Sequence, residues 1–180
     1  LMVREDFTFN GQDSILYDGE MSKVQAIQNT GNGWIAGFSL DFSADLTDRL
    51  GFKTGFTFMK GKDDMGDPIR HVSPLFGSAG FSYKAKKIKV KAYLEYNGEI
   101  SNKNLAASEK SKPHLYASDE SGNPYSPSWY TLNIKGFYQL NNFLQLNVGI
   151  ENILDVRYRP YSSGIAAPGR NFIIALRASF

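Results

Sequence analysis

"LQLNVGIE", Leu144 to Glu151, and "NFIIALRASF", Asn171 to Phe180, each alternate without a break. In the second stretch Phe172, Ile174, Leu176, Ala178 and Phe180 share one parity; Asn171, Ile173, Ala175, Arg177 and Ser179 share the other. In the first, Leu144, Leu146, Val148 and Ile150 stand against Gln145, Asn147, Gly149 and Glu151. Successive side chains of a strand point to opposite faces, so this period predicts two strands, each with an oily face and a wetter one. Between them, Asn152 to Pro168 is too rich in Gly, Pro and Ser to continue either strand.

The same period recurs upstream. Tyr130, Leu132, Ile134, Gly136 and Tyr138 form one apolar set, and Ile88, Val90, Ala92, Leu94 and Tyr96 another. Leu75 to Lys84, Leu50 to Phe58 and Trp34 to Ala44 alternate likewise, and "VREDFTF", Val3 to Phe9, supplies a further strand at the start. The pattern predicts about eight antiparallel strands. The connections Asp45 to Arg49, Ala85 to Lys87 and Leu140 to Asn142 are short, whereas Gly61 to Ser73, Glu99 to Ser128 and Ile153 to Pro168 are long. Short and long alternate strictly, so a meander puts every tight turn at one end and every loop at the other, as in an outer-membrane barrel. A soluble sandwich or a lipocalin-like barrel shares the alternation. Strand lengths near the roughly 9–11 residues that cross a bilayer at a tilt favour the membrane form. The wet parity carries Lys53, Lys84, Lys89, Lys91, Glu95, Lys135, Glu151 and Arg177, which suits either bulk water or a wet lumen.

Composition narrows the function classes. The 20 basic and 18 acidic residues nearly cancel, which argues against an electrostatic nucleic-acid binder. With no cysteine, disulfides, thiol nucleophiles and Cys-ligated metals are excluded. No stretch approaches the roughly 20 apolar residues of a spanning helix. The start of the chain carries Arg4, Glu5 and Asp6 where a secretory leader runs apolar.

"GIENILDVRYRPYSSGIAAPGRNFIIALRASF" resembles the carboxy-terminal end of TonB-dependent outer-membrane receptors. The matching residues are Asn152, Ile153, Leu154 and Asp155, then Tyr158 and Arg159, Ser163 and Gly164, Pro168, Gly169 and Arg170, and the terminal Phe180. "QNTGNGWIAGFSLDF" and "GDPIRHVSPLFGSAGFSY" also resemble segments of that family, although Gly37-Phe38-Ser39 lacks the acid of the common Gly-Val-Glu. The resemblance implies an all-β fold: residues 1–180 are the carboxy-terminal portion of an antiparallel transmembrane barrel of about 22 strands, with the plug domain absent from this chain. It further implies a Gram-negative outer membrane and capture of a siderophore, haem, vitamin or glycan. Import would be driven by the inner-membrane TonB complex, reached through a TonB box and other amino-terminal parts outside this chain. Expected partners are outer-membrane lipid, the remaining strands and plug, and a small nutrient, with no nucleic acid. A small autonomous barrel acting as porin, adhesin or hydrolase is the alternative.

Catalysis is not expected. His71, His114, Ser73, Ser108, Ser111 and Glu109 are present, but no Gly-x-Ser-x-Gly elbow or His-Glu-x-x-His helix organises them. "DDMGD", Asp63 to Asp67, lacks the ordered spacing of a calcium loop and reads as solvated turn acids. No cofactor or resident metal is expected. The candidate ligand contacts are the loop residues His71, His114, Tyr116, Tyr125 and Trp129, where rings supply apolar area and polar neighbours fix orientation.

Overall fold

The computed structural model describes residues 2–4, 7–28 and 32–179. Its main element is a seven-stranded antiparallel meander: β1 (Gly33–Asp45), β2 (Leu50–Asp63), β3 (Phe76–Lys84), β4 (Ile88–Asn97), β5 (Trp129–Gln139), β6 (Leu144–Glu151) and β7 (Asn171–Ala178). Every strand pairs with its sequence neighbours, so the sheet runs in chain order from β1 to β7. "VREDFTF" does not add an eighth strand to it. Its residues Val3 and Arg4 lie in a short strand, Met2–Arg4, that pairs with Ala26–Gln28 in a separate two-stranded sheet, and Glu5 and Asp6 lie outside the described residues. The chain then turns back at Asn10 and Gly11, whose φ values of 51° and 77° place both in the left-handed region. Such a turn cannot continue a strand.

The register keeps one parity together across all seven strands. One row runs Phe42, Thr54, Ala79, Leu94, Leu132, and its neighbour Ala44, Phe52, Phe81, Ala92, Ile134, Ile150, Phe172. The opposite face carries Ser78, Glu95 and Thr131 in one row and Ser82, Lys91, Lys135 and Gly149 in another.

Burial is inverted relative to a water-soluble sheet. Phe172, Ile174 and Leu176 are 72%, 79% and 63% exposed, whereas Thr131 and Asn133 on the opposite parity are 2% and 4% exposed. A soluble fold would do the reverse, because burying apolar area is its main stabilising term. Among the described residues the buried apolar set is Ile100, Leu105 and Ala106, all within a loop. The sheet therefore presents a continuous oily exterior.

Local chemistry explains the three tight turns. Thr47 Oγ1 accepts the amides of Arg49 and Leu50, at 3.2 and 3.0 Å. The Ala85 amide donates to Ile88 O at 2.8 Å, closing the second hairpin. Asn141 Oδ1 accepts the Phe143 and Leu144 amides, at 3.0 and 2.9 Å. Such side-chain mimics of turn hydrogen bonds are what Thr and Asn bring to hairpin ends. On the wet face, Gly80 lacks the Cβ that would stand 2.6 Å from the Tyr93 Cβ. Tyr93 thus lies against the sheet with the Lys91 ammonium 4.6 Å from its ring centroid, a cation–π contact.

Candidate ligand site at the long-loop end

Three long loops emerge at the end opposite those turns: residues 64–75, 98–128 and 152–170. The last two fold onto each other over the wet face. Asn152, with φ 49°, anchors its loop: its amide donates to Asn133 Oδ1 at 2.9 Å, while its side chain donates to Val156 O at 2.9 Å and to Pro168 O at 3.2 Å. Val156 N returns a bond to Asn152 Oδ1 at 2.9 Å. Asp155 Oδ1 accepts the Arg170 amide at 2.7 Å, and Arg170 Nε donates to Ile153 O at 2.9 Å. Gly169 lies where an added Cβ would stand 2.5 Å from Asp155 Oδ1. The polar residues of the carboxy-terminal motif thus close both ends of one loop. Phe180 lies outside the described residues.

Contacts then tie this loop to the middle one. Tyr158 stacks on Trp129 with centroids 4.1 Å apart, Arg159 Nη1 donates to His114 O at 3.1 Å, and an added Cβ at Gly164 would meet Leu115 at 3.4 Å. Between the loops lies an open cavity of about 420 Å³, lined among others by His114, Tyr116, Trp129, Tyr158, Arg159 and Ser162. The Trp129 Nε1 is buried without a hydrogen-bond partner, whereas the Tyr116 hydroxyl lies beside Ser162 and Glu109. Unsatisfied buried donors are costly, so at a cavity wall they mark positions where a ligand acceptor is favourable.

Behind the cavity a polar knot joins all three loops. Tyr161 donates from its hydroxyl to Glu109 Oε2 at 2.6 Å, and Glu109 is 1% exposed with its other oxygen unpartnered. Arg70 Nε is likewise buried and unpartnered. Burial, with the Glu109 charge second, pushes the Tyr116 phenol from 10.0 up to about 12. Tyr161 is raised as well, first by burial and then by its hydrogen bond to Glu109. Both phenols are therefore neutral donors at physiological pH.

Of the five residues expected from sequence, His114, Tyr116 and Trp129 come together on the cavity wall. Tyr125 instead pairs with Ala117 in a two-stranded sheet, and His71, with φ 64°, belongs to the loop behind. Trp129 shares the wet parity with Thr131 and Asn133, so it faces the loops and not the oily exterior; that parity was legible in the sequence. Tyr161, Ser162 and Arg70 were not singled out, because nothing in their local sequence shows which distant loop each meets. No group of three or more His, Cys, Asp or Glu able to hold a metal occurs among the described residues.

Comparison with known proteins agrees with this architecture. The family described as TonB dependent receptor-like, beta-barrel matches residues 4–153. The copper transporter OprC superposes with a TM-score of 0.68 at 18% identity over 89% of this chain and 24% of its own. A mutant of the ferric enterobactin receptor of Pseudomonas aeruginosa gives 0.64 at 18% identity, over 81% of this chain and 22% of its own. The ferripyoverdine receptor of the outer membrane of the same organism gives 0.62 at 16%, over 99% and 23%. No curated protein matches the chain. The chain spans about a quarter of the length of these solved structures, and its likeness to them is one of fold. With the oily exterior, the wet face beneath folded loops and a family match covering most of its length, the chain belongs to the TonB-dependent receptor β-barrel family.

Proposed function

We propose that this chain is the carboxy-terminal part of an outer-membrane receptor barrel of about 22 strands, whose other strands and plug lie outside residues 1–180. The parent receptor captures a scarce nutrient at the long-loop end and imports it with TonB-coupled energy. The family match carries this reading, together with what the long loops build: an aromatic cavity whose wall holds the unpaired donor Trp129 Nε1. A preformed, mostly apolar hollow with a few fixed polar groups is the usual form of a small-molecule site. The similar structures are named as a copper transporter and as receptors for ferric enterobactin and ferripyoverdine, which favours a metal ion or its chelate as cargo over a glycan. His114, Tyr116, Trp129, Tyr158 and Arg159 are the contacts proposed for it.

Unpaired edges support the same reading. Among the described residues the outer edges of β1 and β7 have no partner in the seven-stranded sheet, and bare backbone groups are not tolerated in lipid. Further strands of the receptor would cover them.

Uptake by cells carrying the intact receptor tests the proposal. Accumulation of labelled cargo should stop when TonB is removed and when the inner-membrane proton gradient is collapsed. Uptake that persists through both treatments would make the protein a passive pore. Trp129→Ala should weaken cargo binding on the order of tenfold, the effect of about 1.4 kcal/mol, while Tyr125→Ala changes it little.

A further inference from the structure

The short-turn end carries a second concave feature, on the oily side of the wall. Arg49, Lys86 and Lys87 of the turns, with Lys84 of the wet parity, surround an open groove of about 650 Å³ whose lining includes Ile88 and Tyr138, with Asp48 the single carboxylate. The sheet assembles it from two turns and a third strand: the Lys84 amide donates to Arg49 O at 2.8 Å, and Gln139 N donates to Lys87 O at 2.8 Å. None of the four cations forms an ion pair within the described structure. The cations are exposed.

Ile88 and Tyr138 are direct cross-strand partners on the oily parity, 44% and 42% exposed. From them the apolar rows continue along the wall through Val90 and Gly136. Tyr83, Leu46, Leu140 and Phe143 are exposed at the same end, 43%, 52%, 41% and 49%, and form an aromatic and aliphatic rim. Such a rim marks the membrane–water boundary. The groove thus stacks clustered positive charge directly outside an apolar track.

We propose that this groove binds an anionic glycerophospholipid of the inner leaflet, its phosphate on Arg49, Lys86 and Lys87 and its acyl chains along Ile88 and Tyr138. The proposal rests on the reading of the short turns as the periplasmic end of a receptor wall. A free phosphate would use the cations and leave the apolar floor bare, whereas an anionic lipid uses both. Basic residues at a membrane surface attract anionic headgroups additively and lose that attraction as salt screens them. A neighbouring hollow shares Lys84, Lys86, Lys87 and Ile88 with this groove but adds Lys89, Phe137 and Gln145 of the wet parity, so Lys89 is the cation that separates the inner side from the oily one.

The intact receptor, titrated with phosphatidylglycerol or phosphatidylethanolamine and read by native mass spectrometry, tests this. Wild type should retain phosphatidylglycerol preferentially, and the preference should fall at about 1 M salt. Combined Arg49→Gln, Lys86→Gln and Lys87→Gln should abolish it, at about fivefold per cation removed, while Lys89→Gln leaves it within about twofold. Heat-modifiable migration on gels checks that each variant is folded; Lys86→Gln alone, at an exposed turn, serves if the triple variant fails to assemble. An unchanged preference in the folded variants would overturn the proposal. So would displacement of the lipid by equimolar glycerol phosphate, which needs no apolar floor, or a greater sensitivity to Lys89→Gln, which would place the anionic partner on the inner side. Transport failure in the tests of cargo uptake leaves this readout unaffected.

Discussion

Placing Arg at Ile134 should be the most damaging single change on the oily face. Ile134 stands at the centre of the 11-residue strand β5, five positions from Trp129 and five from Gln139. At a rise of ~3.4 Å per residue and a tilt of ~40°, that strand spans about 28 Å, so Ile134 sits near the middle of an apolar band ~25 Å tall. Its side chain is 43% exposed between Ala92 and Ile150, neither of which can pair with a guanidinium. Arg at the midplane of such a wall costs ~2–4 kcal/mol, falling to ~0–1 near an interface. Leu176 shares a row with Leu146 and Tyr138 at the short-turn end, so Leu176→Arg belongs to the shallow case. Lys135→Leu breaks the 2.7 Å pair with Glu151, whose partners are 38% and 36% exposed. A pair that exposed contributes no more than ~1 kcal/mol. The expected order of cost is Ile134→Arg, well ahead of both others. Urea unfolding of the intact receptor in lipid vesicles, followed on gels by heat-modifiable migration, measures it. If Lys135→Leu costs more than Ile134→Arg, or Ile134→Arg lies within ~0.5 kcal/mol of wild type, the assignment of faces is wrong.

Other expectations concern the loops. Asn152→Ala removes both side-chain donations and the acceptor for Val156 N; it should cost ~1–3 kcal/mol and raise amide exchange through residues 152–170 while β5 and β6 stay protected. Gly169→Ala forces a shift against Asp155 Oδ1, and should make that loop a preferred site of limited proteolysis. Tyr116 ionises near 10 when unfolded and near 12 when folded, so its contribution is fully present below pH 10 and is lost as pH rises through 12. Tyr161 acts in the same direction, so tyrosinate absorbance and loop amide exchange should rise together in alkali, and a normal titration of both phenols would contradict their burial. Glu109→Gln keeps an acceptor for Tyr161 but removes the charge, and should lower the Tyr116 transition toward 10.

The alternation of single residues determined most of the wall. Parity needs only local geometry, so Leu144 to Glu151 and Asn171 to Phe180 could be assigned two faces, and the alternating connection lengths fixed which end is which. Those faces recur in the structure with even the cross-strand rows aligned. "VREDFTF" failed because a short alternating run carries no record of the turn at Asn10 and Gly11 that follows it. Only the tertiary structure decided the loops. Glu109, Tyr161 and Arg70 lie far apart in sequence, and each reaches its place because two or three irregular segments pack on one another over the wet face. Periodicity is silent about such meetings, since contacts between loops depend on chain closure and side-chain shape and not on any repeat. Which face is exposed was also settled there: the sheet exposes its Phe, Ile and Leu and buries Thr131 and Asn133, and the same sequence pattern would serve a soluble sheet turned the other way.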